Sequence, residues 1–597
     1  MCGICGELRF DGSSPDLSTI KRMSEKIARR GPDHAATFSD GPLAFGHRRL
    51  AIIDLTPSAD QPMVDKDLRL SVVFNGTIYN YKELRTELIE MGYAFFSEGD
   101  TEVIIKAYHA WGEKCVERFF GMFAFALWDM RHATLFLARD RFGIKPLYYS
   151  LDGAHLRFAS NVQALLAAGG VDTSIVAVAL HHHFTLHAVV PAPRTILNGV
   201  KKLPPATTMT FTAAGQITLR TYWSLDATRP AQTLSEQDWL KATRLILTRA
   251  VERHRLAADV PVGVLLSGGL DSSLLVGLLA DHVENLLTFS VGFEDIGDGA
   301  EKGDEFEYSD QVAEHFNTRH HKFLIPNSEV LSRLPEAVGN MAEPMVSQDA
   351  IGFFLLGERV SEEVKVVLSG QGADEVFGGY FWYPVMDQAN GSNLERFSSN
   401  YFDRDHAEYL EMINPTFHVP DVTSVLVESG LNKEKADTFL DQVLRFDVTT
   451  LVVDDPVKRV DNMTMAWGLE ARVPFLDHEL VELAARMPPE LKLKEGGKFP
   501  LKAIARGLIP DSVIDRPKGY FPVPALKYVR GDFLEFMRGI LLSDSCIKRG
   551  IYQRPYVDKL LADPEAHLTR IQGSKLWHLA LLELWLQLNV DSITSTN

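Results

Sequence analysis

The stretch VPVGVLLSGGLDSSLLVGLL, residues 260–279, decides the fold of the larger part of this 597-residue chain. Its first seven residues form a continuous apolar run, which is typical of a strand buried on both faces of a parallel sheet. A glycine-rich turn and an apolar helical segment follow. A second apolar run, residues 364–368, also leads into a glycine-rich turn. This alternation of strand, turn and helix predicts an open, mostly parallel α/β sheet.

The turn after the first strand has the chemistry of a triphosphate site. Backbone N–H groups of Gly268 and Gly269 can approach phosphate oxygens, and the N-terminus of the following helix favours negative charge. Ser267 and Ser272 add hydroxyl donors, and Asp271 can hold Mg²⁺ against the phosphates. The turn lacks the GxxxxGK(S/T) spacing of a Walker A loop. It is similar instead to the pyrophosphatase-type loop of enzymes that split ATP between its α- and β-phosphates and adenylate a carboxylate or carbonyl oxygen.

Two later segments agree with this interpretation. The second strand leads into SGQGADEVFGGY, residues 369–380, in which Asp374 is a natural second ligand for Mg²⁺. The segment RPKGYF, residues 516–521, places Lys518 where a cation could neutralise the leaving pyrophosphate.

The first third of the chain has a different texture. Strand-like runs at 70–74, 122–128 and 134–138 are separated by helical stretches such as 81–91, which predicts a layered α/β sandwich. Residues 226–234 are polar and aperiodic, and Ser235 with Asp238 then resembles a helix N-cap. We therefore expect a first domain at 1–225, a linker at 226–235 and a second domain at 236–597.

Cys2 becomes the terminal residue if the initiator methionine is removed, and a terminal cysteine carries its own base. The α-amino group has an ordinary pKa of about 7.7–8.0 and can take the thiol proton. The thiolate can then attack a carboxamide and release ammonia. Asn75 and Gly76 offer a side-chain amide and a backbone N–H for the oxyanion. Arg49 suits a substrate carboxylate and Asp100 an ammonium group, so that together they would hold glutamine at both ends.

Two other motifs could indicate a metal site or a redox pair, but we favour these interpretations less. Cys2 and Cys5 could form half of a zinc site or a redox pair, but no second ligand pair is evident. The run His181-His182-His183 is consecutive, and consecutive residues of a helix do not share a face.

Five segments of the first third occur together in the order of a known family: MCGI (1–4), RGPD (30–33), HRRLAIID (47–54), FNG (74–76) and ARDRFGIKPLY (138–148). They resemble the class II glutamine amidotransferase domain. The resemblance implies the N-terminal-nucleophile fold, a four-layer αββα sandwich. It further implies Cys2 as nucleophile, Asn75 and Gly76 as oxyanion hole, and Arg49, Leu50 and Asp100 as glutamine ligands, with Asn75 and Gly76 also in contact with glutamine.

One position departs from that family. The usual motif is Asn-Gly-Glu, and its glutamate helps to hold the amino group of glutamine. Here the third position is Thr77, which brings no charge. We therefore expect altered glutamine recognition that depends more on Asp100.

The two glycine-rich loops and LEARVPFLD, residues 469–477, resemble the synthetase domain of the glutamine-hydrolysing asparagine synthetase family. With the first resemblance, nearly the whole chain is covered. The fold implied is an open parallel sheet like that of adenine-nucleotide alpha hydrolases. Asp271 and Asp374 would bind Mg²⁺, and Lys518 the pyrophosphate. The residues implied to contact ATP are Leu266, Ser267, Asp271, Val291, Ser369 and Gly370.

The acceptor region departs from the family pattern. The second loop often has a glutamate, a candidate base, where this chain has Gln371; Glu375 or Glu343 could replace it, or ammonia needs no base. A narrower resemblance, carried by residues 2–12, the chain length and GGKFPLK at 496–502, is to N-acetylglutaminylglutamine amidotransferases. These amidate the C-terminus of an acetylated dipeptide to make a bacterial osmolyte. Residues 381–383 could line a dipeptide pocket or belong to the core.

The sequence thus predicts a ligase that hydrolyses glutamine at Cys2 through a thioester, adenylates an acceptor carboxylate with MgATP, and releases amide and AMP. The expected acceptor is the acetylated dipeptide; aspartate, as in an ordinary asparagine synthetase, is the alternative. Three rivals remain. An enzyme forming phosphoribosylamine or glucosamine phosphate would not need the loop at Ser267. An ammonia-only synthetase would fit a glutaminase disabled at Thr77, and a non-catalytic glutamine or nucleotide sensor would release no AMP.

Composition narrows the partners and the compartment. With 61 basic and 79 acidic residues, the net charge is −18, which argues against nucleic-acid or anionic-membrane partners. Four cysteines and no apparent signal peptide or membrane span predict a cytoplasmic protein. We expect small-molecule substrates, namely glutamine, ATP and the acceptor, and the family suggests a homodimer.

Overall fold

The computed structural model describes residues 2–212, 215–295, 303–517, 519 and 523–592. Its first part, which we call the sandwich, contains two antiparallel six-stranded sheets. The strands are β1 Cys2–Arg9, β2 His34–Asp40, β3 Leu43–Arg49, β4 Met63–Asp65, β5 Leu70–Ile78, β6 Gly121–Asp129, β7 Thr134–Arg139, β8 Tyr148–Leu151, β9 His155–Ala159, β10 Lys201–Lys202, β11 Thr207–Thr212 and β12 Ile217–Thr221. The helices are α1 Leu17–Lys26, α2 Tyr81–Glu90, α3 Asp100–Trp111, α4 Cys115–Arg118, α5 Val162–Ala168 and α6 Ala177–Thr185.

The sandwich has four layers. One sheet has the order β10-β8-β9-β1-β3-β2 and the other β12-β11-β7-β6-β5-β4, and β1 packs against β5. Helices α1 and α5 cover the first sheet, while α2 and α3 cover the second. The strands β5 and β6 are buried along nearly their whole length because one face meets the opposite sheet and the other meets helices. The predicted αββα architecture is confirmed.

The second part, which we call the parallel-sheet half, starts with a helix that has the predicted N-cap. Ser235 and Asp238 form a reciprocal capping box at the start of α7. The strands are β13 Val262–Leu265, β14 Leu287–Phe293, β15 Arg319–Ile325, β16 Val366–Leu368 and β17 Glu470–Arg472. The helices are α7 Glu236–Leu256, α8 Leu270–Leu279, α9 Phe306–His315, α10 Asn327–Asn340, α11 Asp349–Ser361, α12 Ala373–Phe377, α13 Trp382–Gln388, α14 Asn393–Tyr401, α15 His406–Met412, α16 Val422–Leu431, α17 Phe439–Phe446, α18 Val452–Asp454, α19 Pro456–Met465, α20 His478–Ala485, α21 Pro489–Leu493, α22 Phe499–Ala505, α23 Asp511–Ile514, α24 Pro524–Lys527, α25 Gly531–Leu541, α26 Asp544–Arg549, α27 Arg554–Ala562 and α28 Lys575–Leu586.

The five strands of this half are parallel, in the order β15-β14-β13-β16-β17. The chain moves outward from β13 through β14 to β15 and then returns to place β16 on the other side of β13. This reversal makes a crevice at the carboxyl ends of β13 and β16, where open α/β sheets bind ligands. Both strands were predicted from sequence. Within the described ranges, no helix combines the length and apolar character that crossing a bilayer requires.

Buried ion pairs join the two parts. Asp461 on α19 accepts hydrogen bonds from Arg30 at 3.0 Å and from Lys145 at 2.9 Å. Arg30 also donates to the backbone carbonyl of Cys2, at 3.3 Å. Burial alone would raise the pKa of Asp461, but Arg30 and Lys145 outweigh it and lower the pKa below its ordinary value. Strand β1, which carries Cys2, is thereby tied to a helix of the parallel-sheet half.

We predict that Asp461→Ala strongly destabilises the protein, because it leaves two buried cations without their counter-charge. Removing one partner of a buried ion pair costs about 3–5 kcal/mol. Denaturant unfolding of wild type and variant measures the difference. Asp558→Ala is the matched control, since Asp558 pairs with Arg554 on an exposed helix surface and its loss should leave the unfolding midpoint unchanged. Equal midpoints for Asp461→Ala and wild type would contradict the account.

Candidate active sites

Cys2 lies on β1, buried against the opposite sheet. Its backbone N–H donates to the side-chain carbonyl of Asn75 on β5, at 3.1 Å. This bond leaves Nδ2 of Asn75 buried and without a hydrogen-bond partner among the described residues. A buried donor with no acceptor costs free energy until something accepts its hydrogen. Asn75 is therefore suited to stabilise an oxyanion that forms beside Cys2.

Gly76 is required at its position by packing. A Cβ there would lie 2.2 Å from the carbonyl oxygen of Met122 and 2.7 Å from Cα of Phe123. Only glycine allows β5 to approach β6 this closely, and the approach places the Gly76 backbone at the wall of the cavity beside Cys2.

That cavity, which we call the small cavity, gathers most of the predicted glutamine ligands. Its wall includes Cys2, Arg49, Leu50, Gly76 and Asp100. Asn75 is not part of the wall but is hydrogen-bonded to Cys2. The guanidinium of Arg49 is held by Asp60 at 2.7 Å and by the backbone carbonyl of Thr56 at 2.9 Å. Sequence order alone thus identified residues that four separate elements bring together.

Burial controls the protonation of this cavity. It raises the pKa of the Cys2 thiol, although the Leu50 backbone and the Arg49 guanidinium act to lower it. Burial also raises the pKa of Asp100 to about 6, against a hydrogen bond from the Ile78 N–H at 3.0 Å. The resting thiol is therefore protonated and needs a base, and Asp100 changes charge in a mildly acidic range.

Sequence reasoning missed one charged residue of the small cavity. Glu470, the first residue of β17, lines the cavity and accepts a hydrogen bond from Thr77 at 3.2 Å. The two residues are separated by 393 positions in the chain. LEARVPFLD was used only for its resemblance, and no local pattern links its glutamate to Cys2.

A larger cavity of about 790 Å³ opens at the carboxyl ends of β13 and β16. The predicted ATP and Mg²⁺ residues that line it are Leu266, Ser267, Gly269, Asp271, Ser272, Val291, Ser369, Gly370 and Asp374. Gly268 does not line it. Its φ of +75° and a Cβ that would fall 2.7 Å from the Ser309 backbone nitrogen show that glycine is needed there for the turn. That Gly268 offers its N–H to phosphate stays a prediction.

The loop after β13 is braced by its own hydroxyls. The Ser272 hydroxyl lies 3.2 Å from the backbone nitrogen of Ser267 and 3.1 Å from its hydroxyl. The Gly269 N–H donates to the Ser267 hydroxyl at 3.3 Å. The loop is thus fixed at the N-terminus of α8, where a phosphate would meet the positive end of the helix.

Lys498 joins the two predicted metal ligands. Its ammonium lies 2.6 Å from an Asp271 oxygen and 2.8 Å from an Asp374 oxygen. Burial alone would lower the pKa of Lys498, but these carboxylates raise it well above its ordinary value. Carboxylate oxygens such as those of Asp271 and Asp374 are also the ligands that Mg²⁺ prefers. The motif GGKFPLK contained Lys498, but sequence analysis gave it no role.

The predicted pyrophosphate cation, Lys518, lies outside the described residues. Its neighbour Arg516 lines the large cavity and pairs with Glu305 at 2.6 Å. Nη1 of Arg516 is buried and has no hydrogen-bond partner within the described ranges. Arg516 therefore has donor capacity left for an anion.

Beyond the phosphate loops, the large cavity has an aromatic wall formed by Tyr380, Trp382 and Tyr401. The rings of Tyr380 and Trp382 stack at 4.2 Å. Of the residues left open between pocket and core, Trp382 lines the cavity and Tyr383 is fully buried. Gln371 also belongs to the lining. The cavity thus offers apolar surface next to a neutral amide.

Of the two candidate bases, Glu375 reaches the large cavity. It accepts a hydrogen bond from Tyr380 at 2.7 Å, and burial, then the Asp374 carboxylate, raises its pKa. Glu343 does not line the cavity; it is buried in an ion pair with Lys202 at 2.8 Å.

The sandwich contributes a residue to this cavity too. His187 lies 3.1 Å from the Ser347 hydroxyl and 3.0 Å from an Asp403 oxygen. Burial would lower the pKa of His187, but Asp403 raises it above its ordinary value. Each part of the chain therefore supplies a side chain to the site built mainly by the other.

Comparison with known proteins matches both parts. The model of the asparagine synthase family matches residues 242–587, and that of the glutamine amidotransferase domain matches residues 1–223. Asparagine synthetase (glutamine-hydrolyzing) 1 of Bacillus subtilis is 32% identical over 632 residues, covering 99% of this chain and 97% of that protein. Asparagine synthetase (glutamine-hydrolyzing) 3 of the same organism is 31% identical over 94% of this chain and 93% of its own length. A putative asparagine synthetase (glutamine-hydrolyzing) of Mycobacterium tuberculosis is 34% identical over 89% and 90%, respectively.

We predict that the KM for glutamine rises as the pH falls through about 6. Below its raised pKa, Asp100 is protonated and no longer attracts an ammonium group, whereas above it the carboxylate is charged. The KM for glutamine is obtained from the rate of glutamate release between about pH 5 and 8. Asp100→Asn should show a high KM without this inflection. A wild-type KM for glutamine that stays flat over the range would contradict the assignment.

Proposed function

We propose that this chain, which belongs to the glutamine-hydrolysing asparagine synthetase family, amidates the C-terminal carboxylate of N-acetylglutaminylglutamine. Its reaction class is that of the family: it is an ATP-dependent amidotransferase that takes nitrogen from glutamine. What the proposal adds is the acceptor, the residues that act on it and the role of each.

The observation that carries the choice of acceptor is the neutral side chain of Gln371 in a cavity of about 790 Å³. Free aspartate brings an α-ammonium group, which a carboxylate at position 371 would attract and the neutral Gln371 does not. An acetylated dipeptide has no ammonium, and Gln371 can exchange hydrogen bonds with its amides. The wall of Tyr380, Trp382 and Tyr401 offers apolar surface for a longer acceptor.

In the first half-reaction, we assign Cys2 as the nucleophile. With the initiator methionine removed, the α-amino group of Cys2 takes the thiol proton, and the thiolate attacks the side-chain carboxamide of glutamine while Asn75 and the Gly76 N–H stabilise the oxyanion. The proton then passes to the leaving nitrogen. Ammonia leaves and a thioester remains, which water hydrolyses to glutamate. Arg49 and Asp100 hold the carboxylate and ammonium ends of glutamine, and the Leu50 backbone lies against the thiol.

In the second half-reaction, the acceptor carboxylate attacks the α-phosphate of ATP, giving an acyl-adenylate and pyrophosphate. The loops at Ser267 and Ser369 hold the nucleotide, and Arg516 faces the departing pyrophosphate, as Lys518 is also expected to do. Asp271 and Asp374 would hold Mg²⁺, which neutralises phosphate charge when bound. Lys498 positions both carboxylates.

Ammonia then attacks the adenylate and releases the amide and AMP. The attacking nitrogen must lose a proton, and Glu375 is the group that we assign to accept it. Its pKa is raised by burial, which brings it closer to the range in which a carboxylate acts as a base.

The organisation of the chain follows from this assignment. We place the glutaminase domain at 1–225, a linker at 226–235 and the synthetase domain at 236–597. We also propose a cytoplasmic protein with small-molecule substrates, which acts as a homodimer.

The acceptor is tested by incubating the purified protein with glutamine, MgATP and either aspartate or N-acetylglutaminylglutamine. AMP release and product mass are followed together. We expect AMP and amide with the dipeptide, and neither with aspartate. Asparagine as the main product, or no AMP with the dipeptide, would contradict the acceptor assignment.

Two variants sharpen this experiment. Gln371→Glu restores the residue common in the family and should shift preference from the dipeptide toward aspartate. Cys2→Ala should lose glutamine-dependent amidation but retain amidation driven by added ammonium, which shows that the synthetase domain is intact.

A further inference from the structure

The small cavity contains a carboxylate that does not come from the sandwich. At position 77, where the related glutaminases have a glutamate, this chain has Thr77, whose side chain is buried and carries no charge. Its hydroxyl donates to Glu470 at 3.2 Å. Glu470 belongs to β17, an edge strand of the parallel sheet. A carboxylate therefore stands next to position 77, but it is supplied by the other half of the chain.

Glu470 is firmly held in this place. Arg472, two residues later and on the same face of β17, donates to Glu470 at 2.5 Å. Arg472 is itself anchored by the backbone carbonyls of His254 and Ala257, the latter at 2.9 Å. Burial alone would raise the pKa of Glu470, but the N-terminal ammonium of the chain, followed by Arg472, lowers it to about 2. The carboxylate is thus charged and pre-positioned at neutral pH.

The charge of the cavity suits a cationic ligand group. Asp100 and Glu470 both line it, and after burial the charge of Glu470 is the main influence that raises the pKa of Asp100. The N-terminal ammonium of the chain acts to lower the pKa of both carboxylates, which indicates that this part of the cavity attracts a positive group. Cys2 and Arg49 occupy the same wall, so the ligand that reaches the carboxylates also reaches the nucleophile.

We propose that Glu470 binds the α-ammonium group of glutamine together with Asp100, replacing from the synthetase domain the carboxylate that Thr77 lacks. The proposal rests on the glutaminase site assigned to Cys2. Both domains would then supply residues to the glutamine-binding site. It also connects that site with the nucleotide loop, because the Ser369 N–H donates to the backbone carbonyl of Arg472, at 2.8 Å.

The test compares glutamine with its desamino analogue, which keeps the carboxamide and the carboxylate but lacks the ammonium group. Hydrolysis of both is measured for wild type and Glu470→Gln. Loss of one charge-assisted contact should raise the KM for glutamine about 10- to 100-fold. The KM for the desamino analogue should stay the same, and Glu470→Asp should recover part of the glutamine affinity. A merely structural role would affect both substrates alike, and that result, or an unchanged KM for glutamine, would overturn the proposal.

Two further measurements separate the possible failures. Ammonium-driven AMP release reports whether Glu470→Gln is folded. If that variant does not fold, Asp100→Asn decides: it should still prefer glutamine over the desamino analogue because Glu470 remains. Complete loss of that preference in Asp100→Asn would overturn the proposal. Absence of glutamate release in wild type would instead overturn the glutaminase assignment, and with it the role of Glu470.

Discussion

The charges buried where the two parts of the chain meet constrain every other feature of the protein. Arg30 and Lys145 lie in the sandwich, and their counter-charge, Asp461, lies on α19. Because an unpaired buried charge costs several kcal/mol, neither part can move away without exposing or stranding such a group. Glu470 of the parallel-sheet half lines the small cavity, and His187 of the sandwich lines the large cavity. The two sites are therefore halves of one packed unit.

The two cavities differ in the groups that match their proposed ligands. The small cavity places the carboxylates of Asp100 and Glu470 near Cys2 and suits the cationic end of an amino acid. The large cavity combines a helix N-terminus with Lys498 and Arg516, which suits phosphate groups. Its lining also contains aromatic rings, the neutral side chain of Gln371 and the carboxylates of Glu375 and Asp447. This division explains how a chain with a net charge of −18 can accommodate a triphosphate, since local donors rather than overall charge decide binding.

Local sequence signals predicted what depends on neighbours in the chain. The strands β13 and β16 and the capping box of α7 were anticipated because periodicity and turn residues act over short distances. The four layers of the sandwich were anticipated from the family resemblance. The sequence did not reveal that Lys498 pairs with Asp271, 227 residues away, or that Thr77 donates a hydrogen bond to Glu470. Such partners depend on how the elements pack. The role of Gly268 also stays a prediction, because a glycine-rich turn does not reveal which glycine N–H faces a ligand. The domain boundaries and site roles remain predictions.

The fate of the amide nitrogen tests most directly whether the two sites work as one unit. The protein is supplied with MgATP, its acceptor and glutamine carrying isotopically labelled nitrogen in the side-chain amide, with excess unlabelled ammonium in the medium. If ammonia passes internally from Cys2 to the adenylate, the product amide carries the label despite the excess. Product nitrogen drawn from the medium in proportion to its concentration would contradict the account.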